Sequence, residues 1–146
     1  MMTRSSRAPE EMLVGVDLFS GLSKREAKHL LARSREVTHR AGQRIAEEGG
    51  GAAGFHLILS GRATVTRGPR EIRTLGAGDY FGEISMIDGK PRSATVTIDE
   101  DVHALAIDHG VFRTLLDEQP AFASSLLVGL CSRLREAEAR ADAAGS

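Results

Sequence analysis

Residues 81–96 read Phe81-Gly82-Glu83-Ile84-Ser85-Met86-Ile87-Asp88-Gly89-Lys90-Pro91-Arg92-Ser93-Ala94-Thr95-Val96. They interrupt a region of short alternating apolar runs with a glycine, a stretch that fits one helical turn from Glu83 to Met86, a loop, and an Arg-Ser pair leading into a strand. The first N–H groups of a short helix lack intrahelical acceptors, and with the local dipole they attract an anion. Gly82 removes the Cβ that would keep a ligand from that backbone. Arg92 offers a planar fork of donors to a phosphate, and Ser93 adds a hydroxyl and an amide. Glu83 repels a phosphate but suits the hydroxyls of a sugar beside it. Taken one at a time, these residues are a turn glycine, a capping carboxylate and a surface arginine. Their joint spacing asks instead for an anion with a sugar attached.

On either side the grammar is that of strands. Val37-Thr38-His39, Arg44-Ile45-Ala46, Phe55 to Leu59, Ala63 to Thr66, Glu71 to Leu75, Ala94 to Ile98 and Val102 to Ile107 are short runs with glycine or proline in nearly every gap. Many short strands at such spacing predict an antiparallel sandwich or barrel. Ser60-Gly61 reads as a two-residue hairpin. The expected architecture is mainly β with flanking helices: an eight-stranded antiparallel β-roll of the jelly-roll type over about 35–108.

Helices bracket the roll. Residues 1–9 read as a loose polar arm, and 10–16 as a short helix before the anchors Leu18, Phe19 and Leu22. Ser23-Lys24-Arg25-Glu26 is a capping box that starts a helix over about 24–33. After Asp108 the helical period returns with Val111, Phe112, Leu115 and Leu116. Pro120 opens a second helix to about 143, because proline suits a first turn. One domain therefore spans 10–143, its C-terminal helices covering about 109–143. Along the last helix Leu127, Leu130, Leu134, Ala137 and Ala141 form an a/d seam, flanked by Glu136 and Arg140 in the favourable i, i+4 order. Leu126 and Leu127 are expected to pack on the roll, and the remaining seam to serve a homodimer.

Composition narrows the function. Nineteen basic and 20 acidic residues give a net charge of −1, which argues against a partner bound through many phosphates, whether nucleic acid or anionic membrane. The single cysteine, Cys131, excludes an internal disulfide and suits a cytoplasmic location. No run of 18 apolar residues predicts a membrane span.

The segment Phe81 to Ser85, followed after six residues by Arg92-Ser93-Ala94-Thr95-Val96, resembles the phosphate-binding cassette of cyclic nucleotide-binding domains, as in the catabolite activator family and protein kinase A regulatory subunits. The likeness extends over about residues 17–135, through Asp17-Leu18-Phe19, through the run Phe55 to Ala63, and through Leu75-Gly76-Ala77-Gly78-Asp79-Tyr80. It implies that Glu83 accepts from the ribose 2′-hydroxyl and that Arg92 pairs with the cyclic phosphate. It also implies that the amides of Gly82, Ile84 and Ser85, with Ser93, complete the pocket. Met86 replaces the usual leucine but fills the same kind of core position. Serine at position 93 goes with cAMP in bacterial activators, whereas a hydroxyl there, especially threonine, goes with cGMP in some members. cAMP is the favoured ligand and cGMP stays open. In the family the last helix covers the base, which draws attention to Ser132, Arg133 and Arg135.

A β-roll containing histidines also raises the cupin type of metal-dependent enzyme, and a third reading is an interaction domain that has lost its ligand. His29, His39, His56, His103 and His109 include no H-x-H pair on one strand face. Nothing resembles a nucleophile elbow, and Gly49 to Gly51 lack the lysine of a phosphate loop. The expectation is a non-catalytic cytoplasmic sensor with no metal, no cofactor beyond its ligand, no DNA-binding module and an unknown protein effector.

Overall fold

Alternation along two long strands sets up the architecture. Phe55, Leu57 and Leu59 face one core and Ile58 faces another; Leu105 and Ile107 face the first, Val102 and Ala104 the second. A period of two is what sends neighbouring side chains to opposite faces. The structure, a computed structural model, describes residues 11, 13, 15–46, 49, 54–90 and 93–145. The arm at 1–9, the start of the first expected helix, most of the Gly49–Gly51 loop and Arg92 lie outside the described residues.

A six-stranded antiparallel sheet carries β1 (Arg35–His39), β2 (Arg44–Ala46), β3 (Phe55–Arg67), β4 (Arg70–Leu75), β5 (Tyr80–Phe81) and β6 (Thr95–Ile107). The order is β1-β6-β3-β4, with β2 also on β6 and β5 on β3. The β-roll with flanking helices matches the expected fold class. Among the described residues the sheet has six strands where eight were expected: the seven expected runs give five, because two pairs run together into β3 and β6, and β5 at Tyr80–Phe81 is added. The Ser60-Gly61 hairpin does not form. Register shifts at Ile58/Ser60, Ser60/Arg62 and Arg62/Ala63 mark a bulged segment of β3 instead. Gly61 has φ +99°, and a Cβ there would collide with the Asp101 carbonyl on β6. The glycine serves close strand approach and not a turn.

The helices are α1 (Lys24–Ala32), α2 (Glu83–Asp88), α3 (His109–Glu118) and α4 (Pro120–Gly145). Both bonds of the capping box are present, Ser23 N–H to Glu26 Oε1 at 2.8 Å and Glu26 N–H to Ser23 Oγ at 3.1 Å. Asp108 caps α3 by accepting from Val111 N–H at 2.9 Å. Four buried rings tie these parts together. Phe122 of α4 lies 5.5 Å from both Phe19 and Phe112, and Phe55 of β3 lies 5.9 and 5.6 Å from the same two rings. Such tilted and edge contacts add about 0.5–1.5 kcal/mol each to the area they bury. They dock the start of α4 on the roll and so fix where its later turns run.

Candidate functional site

The run leading to residue 81 is held by backbone geometry. Asp79 accepts from Gly76 N–H at 2.8 Å through its side chain and from Ile58 N–H at 2.8 Å through its carbonyl, while Gly78 N–H reaches Ile58 O at 2.8 Å. These bonds deliver Tyr80 and Phe81 to β3, where they pair with Leu57 and His56. The chain then turns at Gly82, whose φ of +96° makes it the N-cap of α2 without any side-chain capping bond. A residue with a Cβ is disfavoured at that φ. The first-turn amides of α2 therefore receive no side-chain cap. A second left-handed glycine, Gly89 at φ +70°, ends the helix.

Glu83 is the decisive side chain. It is only 2% exposed, with Ser85 at 4% and Met86 at 1% on the same short helix. A buried carboxylate needs a partner. Arg133 of α4 supplies it, through a short charge-assisted bond from Nη1 to Glu83 Oε2. Arg133 Nη2 donates to the Tyr80 carbonyl at 3.0 Å, and its guanidinium lies 5.1 Å from the centre of the Tyr80 ring. Burial, with the Glu83 charge behind it, pushes the Tyr80 hydroxyl above its ordinary pKa, while Arg133 and Arg73 oppose the shift. Gly129 makes this approach of α4 possible, since a Cβ there would stand 2.7 Å from the Tyr80 hydroxyl.

One cavity collects these groups. Gly82, Glu83, Ile84, Ser85, Ser93 and Arg133 line it, along with Tyr80 and Arg73. Five residues of the expected cassette are thus brought together; the sixth, Arg92, is outside the described residues. Of the three residues expected from the last helix, only Arg133 reaches the cavity, and Ser132 and Arg135 are exposed. Tyr80 and Arg73 were not anticipated. Tyr80 directly precedes the cassette and could have been flagged as its apolar wall; Arg73 carries no such signal. Its volume is about 80 Å³, well under the roughly 300 Å³ at which small-ligand pockets begin. Among the described residues no group of three or more His, Cys, Asp or Glu side chains is placed to hold a metal ion. His56 is packed, stacked on Phe81 at 4.9 Å.

A family model of the cyclic nucleotide-binding domain matches residues 36–119. The chain belongs to this family. The cyclic AMP receptor protein of Thermus thermophilus is 31% identical over 133 residues, covering 88% of this chain and 62% of that protein. A cGMP-dependent protein kinase of Toxoplasma gondii is 34% identical over 118 residues, covering 80% of this chain and 11% of the kinase. This cyclic nucleotide-binding chain thus spans less than two thirds of the length of both curated relatives. The crystal structure of the Thermus thermophilus catabolite activator protein matches with a TM-score of 0.76 at 32% identity, over 88% of this chain and 63% of that one.

Proposed function

We propose that this cyclic nucleotide-binding domain is a non-catalytic sensor that takes cAMP in preference to cGMP and reports it through α4. The observation that carries the reading is the buried Glu83 carboxylate, held by an arginine of the last helix in the cavity that also presents Ser85, Ser93 and the free first turn of α2. A carboxylate so placed accepts from ribose hydroxyls, while the α2 amides, Ser93 and Arg92 receive the cyclic phosphate. Serine at position 93 and the likeness to a cyclic AMP receptor protein favour cAMP; the likeness to a cGMP-dependent kinase keeps cGMP as the second reading.

A nucleotide is larger than this cavity; in this reading Arg133 and the middle of α4 give way to admit it and then close over the base. The outer face of the same helix exposes Leu127 at 64%, Val128 at 67% and Leu134 at 60%. These residues suit a homodimer or a protein effector that reads the helix position. Calorimetric titration with cAMP, cGMP and 5′-AMP tests the reading. cAMP is expected to bind tightest and 5′-AMP weakly, and Arg92→Leu to lose tenfold or more, since a charge-assisted contact is worth about 1.5–3 kcal/mol. Equal affinity for AMP and cAMP, or unchanged binding by Arg92→Leu, refutes it.

A further inference from the structure

A second cleft lies between the end of the β3–β4 hairpin and the distal turns of α4, with a volume of about 360 Å³. Three arginines line it: Arg67 and Arg70 from the hairpin and Arg140 from α4. No carboxylate is among its described lining residues; Pro69, Ile72, Ala137 and Ala141 complete the wall. Arg67 and Arg70 are direct cross-strand partners, an arrangement in which like charges oppose each other. Arg140 was expected to pair with Glu136 one turn earlier, but no ion pair forms between them. Among the described residues neither Arg70 nor Arg140 has a carboxylate partner, whereas Arg40, Arg62 and Arg133 each have one. Arg67 is already oriented, its Nε donating to the Ser93 carbonyl at 3.0 Å.

We propose that this cleft is an anion site for a soluble phosphate ester, separate from the cavity around Glu83. Three arginines lining one cleft in a net −1 chain, with no carboxylate among the described lining residues, are relieved by a multiply charged anion. Planar donor forks bind phosphate oxygens in pairs, and a phosphate ester brings more negative charge to three guanidinium groups than a single carboxylate does. Ile72, Ala137 and Ala141 give the organic part of an ester an apolar surface on one side of the cleft. Because the cleft has one wall on the sheet and one on α4, its occupant ties the distal helix to the hairpin. The proposal stands whichever ligand the cassette takes.

The test uses inorganic pyrophosphate and glycerol 3-phosphate as probes, titrated into the full chain at constant ionic strength. Saturable one-site binding of both is expected, with amide exchange slowed in residues 134–143. Arg70→Ala and Arg140→Gln should each weaken binding about tenfold, the loss of one charged hydrogen-bonding partner, while cAMP affinity and the unfolding midpoint stay unchanged. Arg92→Leu, which removes the cassette's arginine partner for phosphate, should leave pyrophosphate binding intact. Binding that fails to saturate, that survives both arginine substitutions, or that is lost in Arg92→Leu overturns the site.

Discussion

Arg133 and Glu83, 50 residues apart in the chain, meet as a charge-assisted pair in which the guanidinium Nη1 donates to the carboxylate Oε2. The carboxylate side chain is 2% exposed and the arginine side chain 24%. Removing one member of such a pair strands the other, while removing both is far cheaper.

Arg133→Leu should therefore destabilise the domain by about 3 kcal/mol, the low end for a buried pair because the arginine is partly solvated. The double variant Arg133→Leu with Glu83→Gln should recover most of that loss. Urea unfolding of the four proteins in the cycle measures it. Additive losses would mean that the two side chains do not depend on each other.

Glu83→Ala should weaken cAMP binding, and it should weaken binding of the 2′-deoxy ligand much less. The difference between the two ligands isolates the ribose hydroxyl, whose bond to a charged acceptor is worth about 1.5–3 kcal/mol. Competition binding with both ligands on both proteins is sufficient. An equal loss for the two ligands removes Glu83 from the sugar site.

Gly61→Ala and Gly42→Ala place the same side chain at similar positive φ, +99° and +92°, but in different surroundings. At Gly42 nothing lies within 4 Å of the added Cβ, so backbone strain alone costs about 1 kcal/mol. At Gly61 the Cβ meets the Asp101 carbonyl and Val102 Cα of β6, so the bulge must shift and the loss should be at least twice as large. Thermal unfolding compares them; equal losses would show that the β3–β6 approach is not tight.

His39 should make stability fall in mild acid. Its imidazole is held below the ordinary 6.5 by burial, which penalises the charged form, and its Nε2 has no partner. Above pH 6.5 the ring is neutral in both folded and unfolded chains and contributes nothing. As pH falls from 6.5 toward the lower folded value, the unfolded chain takes up its proton first, so stability drops. His39→Gln should flatten the slope of unfolding free energy on the acid side of pH 6.5. An unchanged slope would assign the acid sensitivity elsewhere.

Some of this was determined by sequence alone, because it depends on residues close in the chain. The capping box at Ser23 and Glu26, the helix opening at Pro120, the strand alternation and the spacing from Gly82 to Ser93 are local patterns, and the structure reproduces the first three directly. The phase of α4 against the roll was not of this kind. A 3.5-residue repeat says that Leu127, Leu130 and Leu134 share a stripe, but it does not say what the stripe faces. Anchoring by Phe122 and Leu126, with Gly129 against Tyr80, turns Leu130 toward the core. Leu127, expected inside, and Leu134 are left outside. That same rotation carries Arg133 to Glu83 and Arg140 to the hairpin. The merging of the expected strands into β3 and β6 was likewise decided across the sheet, where the Asp101 backbone leaves room only for a glycine at position 61. Both outcomes depend on contacts between residues far apart in the chain, and a pattern confined to one segment carries no information about which distant surface it will meet.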